Sequence, residues 1–161
     1  MYEERLVEQL AQNINHAAAL YNRLVLLVAP ARAGKAAALR RLHDVTGAQQ
    51  INVNLELSRR MLDLTERQRV LQLPSVFAGI IGDTDSEVVL LDNIELLFDV
   101  TYRQDPLRML QRTSRNKTVV AAWSGSIVDG HLIYAAPGHP EYRRYPLDGL
   151  LIASPEPTAF R

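Results

Sequence analysis

The chain reads as an α/β fold of three layers built on a mostly parallel central sheet. Three observations predict it. The runs 24–28 and 88–91, and 119–123 within the strand 118–123, are continuously apolar rather than alternating, as strands covered on both faces must be. Between them lie segments whose apolar residues recur at helical spacing. The resulting order of strand, helix, strand calls for parallel pairing with right-handed crossovers.

Taken in order, residues 3–20 form a helix with Leu6, Leu10, Ile14 and Ala17 or Ala18 on one stripe, ended by Tyr21 and Asn22 and packed against the sheet edge. The strand 24–28 leads into a loop of small residues and then a helix whose Leu39 and Leu42 share a face. Gly47 stops that helix. Residues 49–54 alternate as a short strand. Residues 57–64 form a short helix with Ser58 or Asn54 as its cap. Thr65 and Gln68 begin the next helix as a capping box, and Pro74 interrupts or restarts it. A turn at 82–86 precedes the strand 88–91, and 93–98 is a helical turn. Asp105 caps a helix with Pro106 at its first position, running to about Arg115. After the strand 118–123, residues 127–136 form a strand or a hairpin around Asp129 and Gly130. Residues 142–151 are loop plus a last short strand, and 147–161 is expected to be a loose tail.

With 161 residues the chain is a single domain, 1–161. Lys plus Arg and Asp plus Glu both number 18, so no net field draws in nucleic acid or an acidic membrane, which argues against direct DNA binding as a main activity. With no cysteine, disulfides, thiolate catalysis and cysteine zinc sites are excluded. No apolar run approaches the ~20 residues of a membrane span, and the acidic, amphipathic start is unlike a signal peptide. A cytoplasmic protein with no membrane partner is expected.

The stretch LVLLVAPARAGKAAALRRL, residues 24–42, carries the first chemistry. Strand, loop, Gly-Lys and helix in this order are the context of a phosphate-binding loop, in which backbone amides and a helix N-terminus cradle an anion. Ala29, Pro30, Ala31, Arg32 and Ala33 would form the loop, Gly34 and Lys35 its phosphate contacts, and Ala36 and Ala37 the first turn of the helix. A lysine at a helix start opposes the helix dipole unless an anion lies between them. The pattern G-x-x-x-x-G-K-[ST] is met only in part. Ala29 replaces the first glycine, which is mild where φ is negative. Ala36 replaces the hydroxyl that binds Mg²⁺. A nucleotide such as ATP or ADP is the expected ligand, with an impaired Mg²⁺ site.

Downstream, Asp92 ends the apolar run 88–91, where open α/β sheets place their ligand sites. Such an aspartate holds Mg²⁺, usually through water, though the bland alternative is a cap for the following turn. Hydrolysing AAA-like proteins carry a glutamate directly after it; this chain has Asn93 there. Asn93 can orient water but cannot take its proton. Glu95 is the nearest carboxylate, either a weak catalytic candidate or a solvated helix residue. Ser124 ends the run 118–123 and is a candidate γ-phosphate contact, or ordinary serine–glycine turn chemistry. Arg143 and Arg144 are either arginines supplied to a neighbouring subunit's site or a partner-facing basic surface. The four histidines show no ligand spacing.

The segments INVNLELSRRMLDLTERQR, VVLLDNIELLF, QDPLRMLQRTSRNKTVVAAWSG and YAAPGHPEYRRYP resemble the BrxF family, small P-loop proteins of type 3 BREX phage-defence systems in bacteria. The resemblance spans residues 24–146. It implies a P-loop NTPase core of the ASCE or AAA-like kind without a helical lid domain. It also implies partners among the other BREX components: a larger ATPase, a DNA methyltransferase, a phosphatase-like protein and a helicase. A homo-oligomer is a further option. Gly34 and Lys35 fall on the phosphate-binding positions, Asp92 on the metal-associated aspartate and Ser124 near the sensor position. Ala29, Ala33 where a glycine is usual, and Ala36 depart from the pattern. Two functions follow: an ATP-binding component of the defence system with weak or lost hydrolysis, or an inactive pseudo-NTPase serving as an interaction module, with Tyr142, Tyr145 and the two arginines as its surface.

Overall fold

A computed structural model describes residues 2–155. The elements are α1 (Tyr2–Ala17), β1 (Leu24–Ala29), α2 (Lys35–Thr46), β2 (Gln49–Asn52), α3 (Val53–Arg60), α4 (Glu66–Gly82), β3 (Val88–Asp92), α5 (Pro106–Thr113), β4 (Thr118–Val128), β5 (His131–Tyr134), β6 (Arg143–Pro146) and β7 (Leu151–Ala153), with 3₁₀ turns at Glu95–Phe98 and Val100–Tyr102. The main sheet runs β2-β3-β4-β1-β7, all neighbours parallel.

The period of two along each strand divides the core into two layers. Leu24, Leu26 and Val28 of β1, Val89 and Leu91 of β3, and Val119, Ala121 and Trp123 of β4 face α3, α4 and α5. Val25 and Leu27, Leu90, Val120 and Ala122 face α1 and α2, meeting Leu6, Leu10, Leu39 and Leu42. Helices therefore cover both faces, and the strands had to be apolar throughout. The expected three-layer α/β architecture is what the chain adopts.

Several expectations at the element level need correction. The helix placed at 57–64 is α3, four residues earlier, because Asn52 rather than Ser58 or Asn54 is its cap, accepting from the Leu55 amide at 3.0 Å. The Thr65–Gln68 capping box forms, but Pro74 does not interrupt α4. Proline removes a helical hydrogen bond, and burial of Leu73, Phe77, Ile80 and Ile81 on the same helix outweighs that loss. Ser124 and Gly125 are not a turn: β4 runs on to Val128 and folds back at Asp129–Gly130 into β5, which pairs antiparallel with it. Part of the expected loose tail is ordered. Leu151–Ala153 pair with β1, and Asn13 and Gln9 of α1 bond Ile152 and Ser154. An apolar triplet beside the buried β1 edge has a strand to satisfy. Residues 156–161 of that tail lie outside the described residues.

Candidate functional site

Adjacent strands β1 and β4 exit in opposite directions, β1 through α2 to the far β2 edge and β4 through the hairpin to β7. Such a switch point opens a crevice at the carboxyl ends of the strands. A cleft of about 540 Å³ lies there, lined by Ala31, Arg32, Gly34, Lys35, Ala36, Asp92, Asn93, Glu95, Ser124 and Tyr134. Nine of the sequence candidates thus meet at one place. Ala29, Pro30, Ala33 and Ala37 do not line it.

The loop after β1 is shaped by two left-handed residues, Arg32 with φ 65° and Gly34 with φ 88°. Ala29 and Ala33 are not among the positive-φ residues, so the alanine at 29 is tolerated as expected. The position that would prefer glycine is Arg32, not Ala33. The Ala33 amide closes the turn on the Pro30 carbonyl at 3.2 Å.

Lys35 opens α2 and is 7% exposed. Its Nζ donates to the Ala29 carbonyl at 3.1 Å and the Pro30 carbonyl at 2.8 Å. Burial pushes its pKa below the ordinary lysine value, and the Asp92 and Glu95 carboxylates oppose that shift. Among the described ion pairs none includes Lys35. Cation and carboxylates therefore face each other across the cleft without touching.

The carboxylate wall is built from a distance. Asp92 ends β3, and its Oδ1 accepts from the Asn93 amide at 2.9 Å. Asn93 then turns left-handed, with φ 52°. From the start of α3, Asn54 ties this turn down: its amide donates to the Asn93 carbonyl at 2.8 Å, its Oδ1 accepts from the Leu96 amide at 2.9 Å, and its Nδ2 donates to Glu95 Oε1 at 3.1 Å. Glu95 is thereby turned into the cleft and is not simply a solvated helix residue. Sequence reasoning missed this use of Asn54, since nothing local marks a residue that binds a turn forty positions away. Replacing Asn54 with alanine strands the Leu96 amide. A loss of about 1–2 kcal/mol is expected, read as a melting temperature lower by about 2–8 °C for a chain of this length.

Tyr134 was also missed. Its ring stacks on Phe98 with centroids 3.5 Å apart and 12° between planes, and both rings meet Trp123 edge-on. Burial, with Glu95 and Glu141 adding to it, raises the hydroxyl to about 12, so it remains a proton donor at neutral pH. The only signal for it in the sequence is the Asp129–Gly130 turn followed by the strand-forming residues 131–134, which marks a strand but not a site.

Arg143 and Arg144 lie on β6, outside the cleft. The Arg143 Nη2 donates to the Gln104 carbonyl at 2.8 Å, while Arg144 is exposed. Among the described residues no group of three or more His, Cys, Asp or Glu could hold a metal, and no helix is long and apolar enough to cross a membrane. No family model and no curated protein matches the chain.

Proposed function

We propose that this cleft binds the phosphates of a nucleotide, ATP or ADP, and that the chain is a P-loop NTPase-like protein with weak or lost hydrolysis. The observation that carries the reading is Lys35, a buried ammonium at the first turn of a helix, separated by an open cleft from Asp92 and Glu95. Desolvation and the positive end of the helix both disfavour a cation there. A polyphosphate between lysine, loop amides and helix start offsets both costs. Insertion of β4 between β1 and β3 supports an ASCE-like arrangement, with Ser124 level with Ala29 on the neighbouring strand.

The donor set suits phosphates better than it suits the metal. Ala36 brings a methyl where a hydroxyl would coordinate Mg²⁺. Asp92, with Glu95 beside it, would reach the ion through water, since Mg²⁺ retains much of its hydration. Asn93 offers a hydrogen bond to water but no base. The resemblance of residues 24–146 to BrxF adds the setting: a cytoplasmic component of a bacterial BREX anti-phage system, acting beside its larger ATPase, methyltransferase and phosphatase-like protein.

One observation favours the pseudo-NTPase reading. Among the described residues strand β6 pairs with β5 alone, leaving an edge that carries the exposed Arg144, a form suited to pairing with another chain. Comparing ATP hydrolysis by the parent and by Ala36→Thr separates the readings. Hydrolysis that appears or rises at least tenfold in the variant marks an NTPase scaffold weakened at that position. Equal background in both removes the enzyme.

A further inference from the structure

The aromatic cluster beneath the cleft has its polar atoms accounted for, with one exception. The Trp123 Nε1 donates to the Ile133 carbonyl at 3.1 Å. The Tyr145 hydroxyl donates to Asp105 Oδ1 at 2.8 Å. The Tyr134 hydroxyl has no partner among the described residues, although the residue is only 8% exposed and lines the cleft. The ring is buried while the hydroxyl is not among the buried unpartnered atoms, so its tip is open to the cleft. It shares that space with Lys35, Glu95 and Ser124.

The backbone holds it there. Tyr134 pairs with Gly125, the residue after Ser124, in the antiparallel β4–β5 ladder. The approach is so close that a Cβ on Gly125 would lie 2.0 Å from the Ile133 carbonyl oxygen. The ring itself is fixed against Phe98 and Trp123, so ordering it on binding costs little entropy.

Resting on the nucleotide reading above, we propose that the Tyr134 hydroxyl donates a hydrogen bond to the terminal phosphate of a nucleoside triphosphate, so that this residue distinguishes a triphosphate from a diphosphate. The loop amides and Lys35 come from the turn and helix after β1, whereas Glu95 follows β3 and Ser124 and Tyr134 come from β4 and β5; a phosphate extending beyond the loop would meet this second set. A neutral hydroxyl suits that place, because it meets the charged oxygen without adding to the carboxylates' repulsion. A bond to a charged group is worth about tenfold or more in affinity.

The test is calorimetric titration of ADP and of a non-hydrolysable ATP analogue into the parent and Tyr134→Phe, which retains the stack. Expected is a loss of about tenfold for the analogue, with ADP affinity held within about twofold. Equal affinities in parent and variant, or an equal loss for both nucleotides, would overturn the proposal while leaving the nucleotide reading intact. A parent that binds neither nucleotide would instead sink that reading, and this proposal with it. If Tyr134→Phe melts more than about 2 °C below the parent, tyrosine difference absorbance on the parent decides. A perturbation by the triphosphate analogue and not by ADP supports the contact, and none with either overturns it.

Discussion

Replacing Lys35 with methionine is expected to weaken ATP binding by about 100-fold, the cost of one charge-assisted contact to phosphate at its upper range, without lowering the melting temperature. The two halves of this result have one cause. Methionine preserves the aliphatic stem that packs at the start of α2 and deletes the ammonium, whose burial is unfavourable. The sign of the pH dependence follows. Because the folded pKa of Lys35 lies below its unfolded value, the unfolded chain binds more protons between the two, and stability rises with pH across that window. Lys35→Met should lack this slope, so parent and variant converge as pH climbs toward the ordinary lysine value. Thermal melts at several pH values check it. A variant that melts well below the parent at neutral pH would mean that the lysine is a structural clamp for the Ala29 and Pro30 carbonyls instead.

Gly125→Ala carries the largest expected effect on stability. The new methyl would sit 2.0 Å from the Ile133 carbonyl oxygen and 2.9 Å from the Trp123 ring nitrogen that bonds it. Neither atom is the free end of a flexible side chain, so the ladder must open. About 3 kcal/mol is expected, at the upper end of overpacking costs, which lowers the melting temperature by about 6–12 °C. Gly130 is the control. An alanine there meets nothing within 4 Å and pays only for a φ of +73°, about 1–2 kcal/mol. Equal losses at the two positions would contradict the close approach of β4 and β5, and with it the placement of Tyr134.

What the sequence made legible and what it hid divide along the range of the interactions. Continuous apolar runs located β1, β3 and the first half of β4. Gly47 and the Thr65–Gln68 box were read correctly because each cap acts within one turn. The candidates around Lys35, Asp92 and Ser124 could be read because strand ends and a glycine–lysine pair carry local signals. Pro74 misled because its local cost is overridden by the packing of α4. Glu95 was ambiguous for the complementary reason: its direction is set by Asn54 on another helix. Tyr134 enters the cleft only because β4 continues past Ser124 and folds back, a course fixed by Gly125 and the aromatic stack together. The strain at Arg32 was invisible too, since a positive φ at a charged residue leaves no mark in the sequence.

Titration of ATP into the protein by calorimetry, with and without magnesium, tests the central claim most directly. Micromolar binding that changes little when magnesium is removed is the predicted result, because Lys35 and the loop amides remain while Ala36 contributes nothing to the ion. Absence of binding in both buffers would contradict nucleotide recognition, and binding that depends wholly on magnesium would contradict the impaired metal site.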